Sequence, residues 1–208
     1  MTGSDIAVDQ PVLLEIFPTG AIVGATRRYE KHLGDMQDVY ADNESWVAQV
    51  DALGADLLVY SVDEHKYQDG PGALIVGTSK LLPGRYGDEF SITRGHLHAK
   101  ANRAELYYCL SGRGVMLLDT LDGQSKAIEL TPGQAVNVPG GWLHRSVNVG
   151  DEPFITLFSY AADAGQNYAV ISRAGGMKQL IVADESEQGW RAVENPKHTG
   201  YDETDLRS

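Results

Sequence analysis

A chain of 208 residues, 42% apolar and 22% charged, is long enough to bury one sizeable core with a small appendage. Its 17 Lys and Arg against 29 Asp and Glu give a formal net charge of -12, a field that repels polyanions and argues against nucleic acid or an anionic membrane as partner. A small phosphorylated ligand is not excluded, because it needs only a few local donors.

The first 56 residues differ from the rest. The stretch TRRYEKHLGDMQDVYADN is polar, and Trp46, Val47, Val50 and Leu53 then recur at helical spacing, which predicts a helix over 44–53 with Asn43 and Gly54 as caps. From Asp56 the pattern changes to short runs, LLVYSV, ALIVGTS, ELYYCL, GVMLLDT, AVNV and FITLFSY, bounded by Gly, Pro or Asp. Such runs predict an antiparallel sandwich or barrel over 57–183, and the absence of strand-helix alternation disfavours a parallel sheet. Asp122-Gly123, between GVMLLDT and KAIEL, predicts a tight hairpin, because both central residues of such a turn tolerate positive φ. From Asp184 the last 25 residues hold seven acids against three Lys or Arg, which predicts a solvated or partly disordered acidic tail over 184–208.

No apolar run approaches the roughly 20 residues of a membrane span, and the N-terminus lacks the basic start and apolar run of a secretory signal. The single cysteine, Cys109, has no internal disulfide partner and reads as a packing residue in LYYCL, so a cytoplasmic protein is expected.

The histidines carry the chemistry. His96 and His98 sit two residues apart in TRGHLHAK, so on a strand both imidazoles face one side and can converge on one ion. Glu105 returns a carboxylate after a six-residue connection, and His144, in NVPGGWLHRSVN, supplies a third imidazole. Three nitrogens and one oxygen, with positions left open, form a catalytic metal site of His96, His98, Glu105 and His144. Taken alone, an HxH pair on a half-exposed strand is more often two surface or satisfied core histidines. The wider spacing argues otherwise: Gly133, Pro139, Gly141, His144 and Asn148 fit G-x5-P-x-G-x2-H-x3-N, and HxH-x6-E-x6-G runs from His96 through Gly112.

These two motifs resemble those of the cupin superfamily, whose fold is a double-stranded β-helix, a jelly-roll barrel. The expectation is thus a mainly β protein with an N-terminal extension containing a short helix. The six-residue gap before Glu105 departs from the general cupin pattern of three or four. With LGDMQDVYAD, DLLVYSV, AELYYCLSGRGVMLLDT, WLHRSVNVGDEPF and YAADAGQNY, it is similar to the cupin-type phosphoglucose isomerases of archaea and some bacteria, over roughly residues 20–185.

That resemblance implies reversible conversion of glucose 6-phosphate to fructose 6-phosphate, with one divalent metal per subunit. Iron or manganese is favoured by the likeness, while Ni(II), Co(II) and Zn(II) also match the ligand set. Glu105 would carry a proton between C2 and C1 in an enediol route; in a hydride-shift route no base touches carbon. The likeness places the phosphate on Ser79, Thr93 and Gly95, with Thr78 as the alternative if the register differs by one. Lys100 and Arg94 flank the HxH and would add charge. Tyr60, Tyr107, Tyr160 and Tyr168 match aromatic positions that approach the sugar, and Tyr107 and Tyr168 would assist catalysis. Gln166 departs from the histidine that some family members carry there, and it cannot transfer a proton in ring opening. Two rival readings remain at this point: a cupin dioxygenase using Fe(II) and O2, and a non-catalytic sugar-binding cupin. A homodimer is expected, with the Trp46 helix burying its stripe on its own barrel or on a second subunit.

Overall fold

The computed structural model describes residues 10–70 and 72–202. Fifteen strands run in chain order: β1 (Glu15–Ile16), β2 (Ile22–Val23), β3 (Arg27–His32), β4 (Leu58–Lys66), β5 (Leu74–Leu81), β6 (Arg85–Tyr86), β7 (Glu89–Ile92), β8 (Glu105–Ser111), β9 (Gly114–Thr120), β10 (Ser125–Leu130), β11 (Ala135–Val138), β12 (Trp142–Asn148), β13 (Phe154–Ala161), β14 (Gln179–Ala183) and β15 (Trp190–Glu194). Helix α1 spans Asn43–Leu53 and the short α2 spans Ala169–Arg173. One antiparallel sheet has the order β11-β8-β13-β5-β4-β3, and the other has β10-β9-β12-β7-β14-β15 with β6 on β7. The two sheets enclose a core that includes Leu81, Met116, Leu143 and Phe154, all at most 1% exposed. This is the mainly β double-sheet barrel expected from the short apolar runs.

The strands show why the interior is both a core and a site. Strand β9 is central and buried almost throughout, as its unbroken GVMLLDT composition requires. Strand β8 alternates instead: Glu105, Tyr107 and Cys109 face inward and are buried, while Leu106 and Tyr108 face out. A carboxylate therefore enters the barrel on a strand whose outer face carries a leucine, an inversion that hydrophobic patterning alone does not reveal.

Several local features differ from the sequence expectation. The cap of α1 is Asp42, whose carboxylate accepts from Ser45 N at 2.9 Å, one residue before Asn43. Of the helix stripe, Trp46 and Val50 pack on the chain's own core, and Trp46 Nε1 donates to the Leu33 carbonyl at 3.0 Å; Val47 and Leu53 stay exposed. The β9–β10 connection is a three-residue loop: Gly123 N donates to Thr120 O, Thr120 N donates to Gln124 O, and Gly123 alone takes positive φ. That is a type I turn closed by a glycine bulge, not a two-residue turn with Asp122 at positive φ.

The polar segment before α1 contributes β3 to the barrel sheet, paired with β4 from Arg27↔Glu64 to His32↔Leu58. Its polarity is that of an edge strand: Tyr29 packs on the core, while Arg28 bonds Glu30 and Asp63 on the solvent side, each at 2.8 Å. The acidic tail is likewise ordered through residue 202. Strand β15 pairs with β14, Trp190 Nε1 donates to Glu129 at 2.7 Å, and Tyr201 Oη donates to the buried Asp119 at 2.6 Å. Three anchors outweigh the charge of the faces left in solvent; residues 203–208 of that tail, like 1–9 of the extension, lie outside the described residues.

Candidate metal centre

His96 and His98 lie just past β7, in extended backbone held by isolated bridges between His96 and His144 and between Leu97 and Asn167. Alternation there sends Leu97 into the core and both imidazoles to the other side, as the two-residue spacing predicts. Gly95 makes the approach work. Its φ is +71°, and a Cβ would lie 2.9 Å from the His144 carbonyl and 2.9 Å from Arg145 Cβ, so a side chain would push apart the two segments bearing the histidines. Across the barrel, Glu105 opens β8 and His144 sits in β12. Motif residue Asn148 is structural: fully buried, it donates to the carbonyls of Leu81 and Glu152, both at 2.9 Å, and accepts from Gly150 N.

The four donors converge. One ligating atom from each of His96, His98, Glu105 and His144 lies within 4.8 Å of the others, and all four residues are buried. Glu105 Oε2 is 3.1 Å from His98 Nε2, 3.0 Å from His144 Nε2 and 3.8 Å from His96 Nε2. His98 Nδ1 faces the Arg103 carbonyl at 2.9 Å and His144 Nδ1 faces the Trp142 carbonyl at 3.1 Å. A carbonyl can only accept, so each Nδ1 carries its proton and the Nε2 lone pairs of the neutral rings point at the carboxylate. Such a contact repels unless positive charge lies between: a second proton on the imidazole, as in the direct bonds of His98 and His144 to Glu105, or a metal ion in its place. His96 Nε2 is buried with no hydrogen-bond partner. The donor set, the orphaned nitrogen and the outer carbonyls all fit a divalent ion.

The electrostatics agree. Burial, with the neighbouring His144, pushes His96 well below the usual imidazole range, which keeps it neutral and able to ligate. Burial raises the Glu105 carboxyl, but the bonds from His144 and His98 outweigh it and hold the group well below the usual carboxylate range. Burial lowers His98, and its bond to the Glu105 carboxylate more than restores it.

Beside the four donors opens a cleft, lined by Tyr60, Ser79, Thr93, Gly95, Tyr107, Tyr160, Gln166 and Tyr168 among the expected residues. Three others fall elsewhere. Thr78 faces away, its hydroxyl bonded to the Gly20 carbonyl, so Ser79 is the residue this register turns inward. Lys100 is exposed and paired with Asp163 at 2.8 Å, outside the cleft lining. Arg94 does not line it either; its carbonyl accepts from Arg145 Nη2 at 2.8 Å. Burial raises the phenols, taking Tyr60 to about 12 and Tyr107 well above the usual value, so both are donors.

The cleft also holds Tyr29, Glu64, Arg145 and Ser146, which sequence reasoning missed. Tyr29 lies in the segment read as an extension. Glu64 follows Tyr60 and Val62 at two-residue steps on β4, so strand alternation from Tyr60 was the available signal. Arg145 gave none, since its neighbour His144 points the other way.

A double-sheet β-barrel that gathers three imidazoles and a carboxylate on these two motifs is a cupin. The family model for glucose-6-phosphate isomerase (GPI) matches residues 30–198. The glucose-6-phosphate isomerase of Sinorhizobium medicae is 42% identical over 177 residues, covering 85% of this chain and 82% of the relative. Those of Pyrococcus furiosus, over 181 residues, and Thermococcus litoralis, over 182, are also 42% identical and cover 87% of this chain and over nine-tenths of each relative. The chain belongs to this glucose-6-phosphate isomerase family.

Proposed function

We propose that this chain interconverts glucose 6-phosphate and fructose 6-phosphate in the cleft beside His96, His98, Glu105 and His144. The observation that carries the reading is the buried Glu105 among three imidazoles, facing a cleft that also holds Ser79, Thr93 and Gly95. A divalent ion bound by the four residues, Fe(II) or Mn(II) by family likeness, would polarise the oxygens on C1 and C2.

The chain's own residues supply the rest. Ser79, Thr93 and the Gly95 backbone offer neutral donors for the phosphate; the Thr93 hydroxyl accepts from Ser146 N at 3.0 Å, which leaves its proton free to donate. Tyr60 and Tyr107 donate to sugar hydroxyls, while Tyr168, bonded to Gln166, stands at the exposed side of the cleft. Glu105 is the carrier for the hydrogen: it takes the C2 hydrogen as a proton, the electron pair forms the enediol, and the proton returns at C1 while that of O2 moves to O1. This route exchanges solvent deuterium into the product, whereas a hydride shift does not.

The same proposal includes a homodimer in the cytoplasm. The β1–β2 hairpin and its approach expose Leu13, Phe17 and Val23, which a second copy would cover. Cys109 is free and buried, and no helix among the described residues is long and apolar enough to cross a membrane.

The test is turnover of fructose 6-phosphate by protein stripped with chelator and reloaded separately with Fe(II), Mn(II), Ni(II), Co(II) and Zn(II). Activity lost on stripping and restored by one or more ions is expected. Stoichiometric metal at a folded site with no turnover would overturn the isomerase reading and bring forward the dioxygenase.

A further inference from the structure

Hexose 6-phosphates are closed rings for most of their time in solution, and moving the carbonyl needs the open chain. Gln166 has no proton to transfer, and burial raises the phenols of Tyr160 and Tyr168, so neither serves as a base. Among the described residues lining the cleft, the carboxylates are Glu105 and Glu64. Glu64 is only 4% exposed and has no part in the metal set.

Its position follows from sheet register. The inward-facing residues form rows across β8, β13, β5 and β4. The first row starts with the metal-binding Glu105 beside Tyr160; the next runs Tyr107, Phe158, Gly77, Glu64; the third runs Cys109, Thr156, Ser79, Val62. Glu64 thus lies between the row that carries Glu105 and the row that carries Ser79. One row is a two-residue step, about 7 Å along the strand, a span that suits a pyranose ring with its phosphate at Ser79. Gly77 lets the Phe158 ring lie over the sheet in this row beside Glu64: a Cβ there would lie 2.2 Å from that ring. Glu64 Oε1 accepts from Tyr160 Oη at 3.3 Å, on the diagonal toward Glu105, and Oε2 lies 3.4 Å from Arg27 Nη1.

We infer that Glu64 is a catalytic acid and base that opens the sugar ring before isomerisation, an assignment that rests on the isomerase reading. The proton of the C1 hydroxyl passes to the Glu64 carboxylate, C1=O1 forms as the C1–O5 bond breaks, and the same carboxyl delivers a proton to O5. The group ends as it began, and no co-reactant is consumed. Burial raises the Glu64 carboxyl against the pull of Arg27, which favours a group that both takes and returns a proton.

The experiment uses 2-deoxyglucose 6-phosphate, which opens and closes but lacks the C2 hydroxyl needed to become a ketose. Exchange between its α and β anomers is followed by magnetisation-transfer NMR with metal-loaded wild-type protein and Glu64→Gln. Wild type is expected to accelerate exchange, and Glu64→Gln to lose at least about 100-fold of that acceleration at unchanged metal content and thermal midpoint. Where Glu64→Gln fails to fold, Glu64→Ala is measured with added formate, which is expected to restore exchange; no restoration at full metal content overturns the assignment. Wild-type exchange rates in Glu64→Gln overturn it too, as does a wild type that isomerises fructose 6-phosphate yet leaves the anomers at their solution rate. Inactivity of wild type on both compounds overturns the isomerase reading itself.

Discussion

At the scale of the single residue the proposal gives Glu105 two duties, as oxygen ligand and as proton carrier, and one substitution separates them. Glu105→Gln keeps the shape and an oxygen donor but not the base. It should retain metal at reduced affinity and lose about 10²–10⁴-fold in turnover of fructose 6-phosphate; elemental analysis and a coupled assay check the pair, and full activity with metal bound would remove Glu105 as base. All four donors were legible in the sequence because metal ligation demands particular side chains at spacings that strands convert into convergence. Ser79 was separable from Thr78 only once register was known, since adjacent strand residues face opposite ways. Glu64 was harder still: a carboxylate in a strand ordinarily faces water, and what sets it beside the row of Ser79 is the pairing of β4 with β5.

The elements hold these groups in place through caps and turns. Asp42 caps α1 through Ser45 N and Ser45 Oγ. Asp42→Ala should therefore cost about 1 kcal/mol, a fall of a few degrees in the midpoint measured by thermal unfolding. Gly95→Ala is expected to be worse, because the atom it strikes is the carbonyl of a proposed ligand. A cost of roughly 1–3 kcal/mol should appear together with weaker metal binding, read by isothermal titration; a purely local strain would leave metal affinity unchanged. Six barrel strands, β4, β5, β8, β9, β11 and β13, were readable as apolar runs; others were not, β3 and β15 among them. An edge strand that shows one face to solvent has the composition of a loop, and only its partner strand identifies it.

The whole molecule couples the site to stability. An ion bound at four residues drawn from three parts of the chain stabilises the native state by mass action, about 4 kcal/mol when free metal exceeds its dissociation constant a thousandfold. Stripping with chelator should therefore lower the thermal midpoint by on the order of 10 °C, and readdition should restore it. Acidity acts elsewhere. Bonds from Arg103 and Lys100 hold the Asp163 carboxyl well below the ordinary aspartate value of 3.8. Just below that value the unfolded chain takes up a proton that the native state does not, so the stability from Asp163 is complete above it and lost as pH falls further. The difference in thermal midpoint between wild type and Asp163→Asn should accordingly shrink on acidification, in a pH series of unfolding curves.

The sequence by itself determined the four residues that converge as a candidate metal site, the antiparallel β class and the family likeness, because ligand chemistry and strand periodicity are local properties. Only the tertiary structure decided which residues line the cleft, that the polar leader supplies a barrel strand, and that the acidic tail docks on Asp119. Each of these depends on which segment lies beside which, and pairing between distant strands is set by the energy of the whole packed sheet rather than by any run of neighbours.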